Sequence, residues 1–196
     1  MSAEAERQPD QFGPTAPPGF RYAPELISEA EADALVEQLD RMALQPFEFQ
    51  GRLANRQVAS FGFRYDYGRR SLLEAPPIPD WLAGLRDRAA AFAGLAPEAF
   101  VHALVNAYPP GAGIGWHVDK HHFGVVVGVS LLAPCMLRFR RRRSALWERR
   151  SVVVEPRSAY LLAGEARAEW QHSISPMDQR RYSITFRSLA KEAQAR

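Results

Sequence analysis

Cysteine is almost missing from this 196-residue chain. Cys135 stands alone, so no internal disulfide can form, and a reducing compartment suits it. Long apolar runs are missing as well. No stretch approaches the roughly 18 consecutive apolar residues that mark a membrane-spanning helix. The opening residues, Met1-Ser2-Ala3-Glu4-Ala5-Glu6-Arg7, lack the basic-then-apolar order of a secretory signal. A cytoplasmic protein with no membrane partner, monomeric, is expected. No Gly-x-Ser-x-Gly element is present to support a serine hydrolase, and no acid/base pair stands out. Repeats and low-complexity tracts are absent too.

What is present is ordinary globular material, 46% hydrophobic and 24% charged. The length suits one domain with a full core. Residues 1–20, with Pro9, Pro14, Pro17 and Pro18, read as a flexible lead before a single domain over 21–196. The net charge of +3 is modest, but its distribution is not. Arg138, Arg140, Arg141, Arg142, Arg143, Arg149 and Arg150 crowd one stretch, opposed there only by Glu148. Such a cluster suits a phosphate backbone. It also suits a solvated basic loop with no partner.

Ser28 and Glu31 form a capping-box pattern, and Ala32, Leu35, Val36, Leu39 and Met42 recur at helical spacing. A helix over about 29–43 is predicted. A second, about 80–93, follows Pro77 and Pro79, with Trp81, Leu82, Leu85 and Phe92 apolar. From Phe100 onward the pattern turns to β. Short runs at 101–108, 125–132, 136–140, 152–154, 159–162, 170–174 and 182–187 are parted by Pro109-Pro110-Gly111, Pro134, Pro156, Gly164 and Pro176. The expected class is α+β: an antiparallel double-sheet barrel with N-terminal helices packed on one side.

Two features carry chemistry. His117 and Asp119 sit two residues apart, so on an extended segment both point the same way, and His172 could complete a facial triad from a later strand. His102, His121 and His122 are read as surface or core residues. The second feature is Arg181-Tyr182-Ser183-Ile184-Thr185-Phe186-Arg187. Period 2 places Arg181, Ser183, Thr185 and Arg187 on one face and Tyr182, Ile184 and Phe186 on the other. An apolar rear face with arginines turned into a barrel is odd structurally, because buried arginines need anionic partners. A solvent-facing edge strand would show the same alternation.

The order of these segments resembles the AlkB family of Fe(II)/2-oxoglutarate dioxygenases over roughly Phe61–Leu189. That family's closing strand reads R-x-N-x-T-F-R, here with Ser183 in place of the frequent Asn. Asn106 and Tyr108 match its Asn-x-Tyr. The resemblance implies a double-stranded β-helix (jelly roll) core over 100–189. It implies Fe(II) on His117, Asp119 and His172, which would then be the catalytic residues, with O₂ as co-reactant. It further implies 2-oxoglutarate held by Arg181 at its distal carboxylate, with Arg187 near the other and Asn106, Tyr108 and Ser183 alongside.

It also implies a lid over about 45–75, where Phe61-Gly62-Phe63-Arg64-Tyr65-Asp66-Tyr67 interleaves aromatics with cations. Tyr65 and Tyr67 are candidate substrate contacts, as are Lys120 and Arg140. The same alternation also suits an ordinary strand's buried face. The implied reaction is oxidative demethylation of N-alkylated bases in DNA or RNA, yielding formaldehyde, succinate and CO₂. Gly164-Glu165-Ala166-Arg167 resembles a segment of AlkB relatives beyond the founding DNA-repair type. An AlkB-like hydroxylase of tRNA, protein or a small molecule is therefore the alternative. A jelly-roll binding module with an inert or Zn²⁺-holding His/Asp set is a third reading, opposed by the paired arginines.

Overall fold

A computed structural model describes residues 16–49, 52–66, 68 and 71–190. Most of the expected flexible lead, and Tyr67, lie outside them. In chain order the elements are β1 (Phe20–Ala23), α1 (Glu29–Asp40), β2 (Gln45–Phe49), β3 (Arg52–Phe61), β4 (Phe63–Asp66) and β5 (Ser71–Glu74). Then come α2 (Ala83–Ala93), β6 (Phe100–Tyr108), β7 (Ile114–His117), β8 (Phe123–Leu131), β9 (Cys135–Arg143) and β10 (Leu146–Val154). The last are β11 (Ala159–Leu162), α3 (Gly164–Ala168), β12 (Gln171–Ile174) and β13 (Arg181–Leu189). No helix among the described residues is long and apolar enough to cross a membrane.

A seven-stranded sheet runs in the order β1-β11-β8-β13-β6-β3-β2, and a four-stranded sheet in the order β10-β9-β12-β7. Every paired strand is antiparallel. The two sheets make the expected barrel, and β4–β5 form a separate hairpin. Of the region expected as a lid, β2 and β3 extend the large sheet, leaving β4–β5 to stand apart.

The capping box forms as read. The Ser28 hydroxyl accepts from the Glu31 N–H, while the Glu31 carboxylate accepts from the Ser28 N–H at 2.9 Å. Helix α1 ends at Asp40, short of the predicted 43, and Met42 and Leu44 instead pack from the following loop. A 3₁₀ turn over Asp80–Leu82 leads into α2, which stops where Gly94 takes a left-handed φ of 71°. Gly62 separates β3 from β4 for a steric reason. Its φ is 76°, and a Cβ there would lie 1.9 Å from the Val101 carbonyl oxygen.

Two apolar layers result. Leu35, Leu39, Leu82, Leu85 and Ala89 from the helical side meet Val105, Val129, Leu161, Ile184 and Phe186 on the rear of the large sheet. Between the sheets, Tyr108, Val126, Leu137, Phe139, Val154 and Trp170 fill the barrel. Strand β13 lies between these layers with β8 and β6 on its two edges. Its alternation therefore sends Tyr182, Ile184 and Phe186 under the helices and Arg181, Ser183 and Thr185 inward.

Candidate active site

His117 is the last residue of β7, and register places it directly opposite His172 on β12, with ring centroids 4.2 Å apart. The strand ends there, so Asp119 reaches back from the segment beyond it. That corrects the expectation of one extended run carrying both residues. One ligand atom from each of His117, Asp119 and His172 lies within 4.8 Å of the others, which is room for one metal ion. Among the described residues only this group has that geometry. The His117 Nδ1 is 3.0 Å from the Gly115 carbonyl oxygen, which fixes the ring and leaves Nε2 on the Asp119 side.

The electrostatics keep these groups ready to ligate. Burial lowers the pKa of both histidines; His172 is pushed down to about 3, with His117 as the second cause. Burial alone would raise the Asp119 carboxyl, but the neighbouring positive charge, that of Arg187 above all, outweighs it and holds it far below the usual carboxylate range. Two neutral imidazoles and one carboxylate are the ionisation states that a divalent cation needs.

Arg187 lies at the ligand end of the pocket, its Nη2 3.4 Å from Asp119 Oδ1 and its Nη1 3.4 Å from His102 Nδ1. His102 is a core residue. Burial and then Arg187 push its pKa well down, so a neutral ring accepts the arginine N–H. Arg181 is different: it is fully buried, its Nε donates to Ser130 Oγ at 3.0 Å, and Nη1 and Nη2 have no hydrogen-bond partner among the described residues. Asn106 Oδ1 and His172 Nδ1 are also buried without one. Register sets Arg181 against Tyr108 and Ser183 against Asn106, so all four share the interior face. An isolated buried cation is strongly unfavourable, so this guanidinium fork calls for an anion. A dicarboxylate spanning from Arg181 to the metal side satisfies it, and the residues present fit that group.

Tyr65 and Lys120 meet at the site's outer side. The Lys120 ammonium lies 4.5 Å from the Tyr65 ring centroid, and the His122 ring lies tilted, 5.8 Å from the same ring. Thus hairpin β4–β5 contacts the segment just past Asp119. Arg140 is placed elsewhere, on the outer side of the small sheet. Sequence reasoning assigned no role to Arg167, which is buried and donates to the Lys120 and Phe123 carbonyls, clamping the loop after Asp119. A lone cation in a short Gly-Glu-Ala-Arg turn was the available signal. The arginine cluster is also better neutralised than local sequence implied. Arg141 meets Glu148 at 2.9 Å, Glu165 at 2.8 Å and Glu169 at 2.9 Å.

A sequence profile of the 2OG-Fe(II) oxygenase superfamily matches residues 19–187, and the chain belongs to that superfamily. It is an Fe(II)- and 2-oxoglutarate-dependent dioxygenase, using O₂. Within that superfamily the chain is similar to proteins named as ALKBH homologues. The "Alkylated DNA repair protein ALKBH8 homolog" of Arabidopsis thaliana is 28% identical over 181 residues, 80% of this chain and 51% of that one. The "Probable RNA/DNA demethylase ALKBH6" of Danio rerio is 34% identical over 104 residues, 53% of this chain and 42% of that one. The chain therefore spans about half the length of these relatives. In fold it is similar to OsALKBH1, with a TM-score of 0.69 and 18% identity, over 88% of this chain and 98% of that structure.

Proposed function

We propose that this dioxygenase hydroxylates the N-methyl groups of N-alkylated nucleobases in DNA or RNA. The hydroxylated group then leaves as formaldehyde, with succinate and CO₂ as the other products. The observation that carries the reading is the pairing, inside one barrel, of a His/Asp/His cluster with a fully buried arginine whose two terminal nitrogens have no hydrogen-bond partner among the described residues. His117, Asp119 and His172 would hold Fe(II), and Arg181 would pair with the distal carboxylate of 2-oxoglutarate. Asn106, Tyr108 and Ser183 line the same interior face. Bound iron and 2-oxoglutarate supply the oxidising power for an unactivated C–H bond.

The chain's own residues position and insulate. Arg187 pairs with Asp119, keeping the carboxylate ionised and aimed. Gly115 sets the His117 ring, and Arg167 holds the loop after Asp119. Phe139, Tyr108 and Trp170 exclude water from the barrel. A base that leaves its stack needs an aromatic surface and a nearby cation. Tyr65 with Lys120 and His122 offers both beside the metal ligands, and from the sequence Tyr67 is proposed as a further substrate contact.

The test is succinate formed from 2-oxoglutarate by Fe(II)-loaded protein exposed to O₂, wild type beside His117→Ala, with and without a strand carrying 1-methyladenine. Turnover that needs His117, rises with the methylated strand and releases formaldehyde is expected. Turnover that needs His117 but ignores every methylated strand sinks the nucleobase assignment and leaves a hydroxylase of other substrates.

A further inference from the structure

Alternation along β9 and β10 sorts the arginine-rich segment into two sets. Residues opposite each other in register share a face, and neighbours along a strand do not. Arg141 and Glu148 are paired in register and turn inward with the buried Phe139. Arg141 and Arg150 lie 4.7 and 5.3 Å from the buried Trp170 ring centroid, and both meet Glu148. Arg138, Arg140 and Arg142, with Arg149 opposite Arg140, turn outward. Among the described residues none of these four forms an ion pair with a carboxylate.

The outward arginines are nevertheless held in place. Trp116 of β7 and Trp147 of β10 interleave with them. The Arg138 guanidinium carbon is 5.2 Å from the Trp116 ring centroid, and that of Arg140 is 4.4 Å from Trp116 and 4.5 Å from Trp147. Arg142 lies 5.9 Å from Trp147. Each Nε is also tied: Arg138 donates to Ser173 Oγ at 3.1 Å, Arg140 to Gln171 Oε1 at 2.7 Å, and Arg142 to the Ser144 carbonyl at 3.4 Å. With each guanidinium over an indole and Nε bound, the Nη1/Nη2 fork of each has no protein acceptor among the described residues. Alternate residues of a strand stand about 6.6 Å apart, so the three forks form a regular row.

A row of like charges repels itself and attracts an anion with the same repeat. We infer that this outer face is a landing site for one phosphodiester strand, with the Arg138, Arg140 and Arg142 forks taking its phosphates. Pre-ordered guanidinium forks suit phosphate oxygens and lose little freedom on binding. The inference rests on the nucleobase reading above and deepens it, because the row lies behind the metal ligands. Gln171 and Trp116 precede His172 and His117 in the chain, with the ligands on the opposite face of the same two strands. Strand β7 is an edge strand, so a bound strand passes round a single edge to reach the interior.

The test is fluorescence anisotropy of the full chain with a labelled, unmodified single strand, as RNA and as DNA, across a salt series. The triple change Arg138→Ala, Arg140→Ala, Arg142→Ala is expected to weaken binding at least about tenfold. It should also flatten the slope of log affinity against log salt by about 2, at roughly 0.7 per phosphate contact. Trp147→Ala is expected to weaken binding several-fold with the slope unchanged, since it frees the forks without removing charge. Arg88→Ala, on the helical side, is expected to match wild type. Thermal melting checks each fold, and Arg142→Glu alone replaces the triple variant if that one fails to fold.

A triple variant that binds the strand as wild type does, with the same slope, overturns the landing site while leaving the nucleobase reading standing. Wild type that binds polyglutamate as tightly as the oligonucleotide overturns it in favour of an acidic protein segment. Wild type that binds no strand, and shows no added succinate with the methylated one, overturns both.

Discussion

Strands β13 and β9 are each nine residues long, and each alternates arginines with apolar side chains, yet the two are mounted in opposite senses. In β13 the apolar face meets the helices and the arginines enter the barrel. In β9 Leu137 and Phe139 enter the barrel while Arg138, Arg140 and Arg142 face away from it. The consequence for charge is large. Arg181 is fully buried with two nitrogens unsatisfied, a state tolerable only if an anion arrives. The β9 arginines keep their access to water and need no partner to be stable. An identical side chain is thus the proposed ligand anchor in one strand and the proposed recruiting surface in the other.

The sharpest way to break this comparison is to remove the packing behind β13. Phe186→Ala is expected to cost about 3–5 kcal/mol in chemical denaturation, since the ring is fully buried against the helices. Met136→Ala, on the outer side of β9, is expected to change stability by less than about 0.5 kcal/mol. Equal losses would mean that the two rear faces are not differently loaded.

Next comes the buried fork itself. Arg181→Met is expected to weaken 2-oxoglutarate binding by about 2–5 kcal/mol, roughly 30- to 5,000-fold, read by calorimetry. Without ligand the variant should melt no lower than wild type, because an unpaired buried charge has gone. Arg138→Met should leave 2-oxoglutarate affinity alone. Unchanged binding by Arg181→Met would remove the anchor from the proposal.

Within β9 the two faces should also part. Arg141→Ala removes the cation shared by Glu165 and Glu169, leaving Glu148 only its pairing with Arg150, and is expected to lower the denaturation midpoint measurably. Arg142→Ala should cost less than about 0.5 kcal/mol.

The smallest expected effect is a pH dependence. Asp40 of α1 accepts from the Tyr182 hydroxyl at 2.7 Å and pairs with Arg180 at 3.1 Å, tying β13's rear face to the helix. The Tyr182 hydrogen bond first, and Arg180 after it, hold the carboxyl below its ordinary pKa. A lowered folded-state pKa means the contribution is complete above about pH 4 and is lost as pH falls through the folded value. With solvent screening it amounts to less than about 1 kcal/mol. Asp40→Asn should flatten that acid limb of the denaturation midpoint; an unaltered limb would assign the acid sensitivity elsewhere.

Local chemistry made much of this legible. The Ser28–Glu31 box, the alternation in β13 and the spacing of His117 and Asp119 are all short-range patterns. Other parts depend on partners far along the chain. Strand β3 is a strand because β6 offers it an edge, and β2 in turn pairs with β3; their own composition alternates poorly. Helix α3 is too short for a period to register, and it is held through the Ala166 N–H on the Pro18 carbonyl. The β9–β10 hairpin runs longer than composition suggested because Ser144 takes a φ of 55° at its turn without the usual glycine or asparagine.

By itself the sequence determined which side chains share a face, because period 2 and period 3.6 are properties of the backbone alone. It also determined the ligand chemistry available, two imidazoles and a carboxylate near a strand of arginines. Only the tertiary structure decided that β7 and β12 lie side by side, bringing His117 to His172. It decided, too, that Glu165 and Glu169 quench Arg141 while Arg138, Arg140 and Arg142 stay unquenched. Charge pairing and burial depend on distance through space, and chain order does not encode that distance until the sheets close.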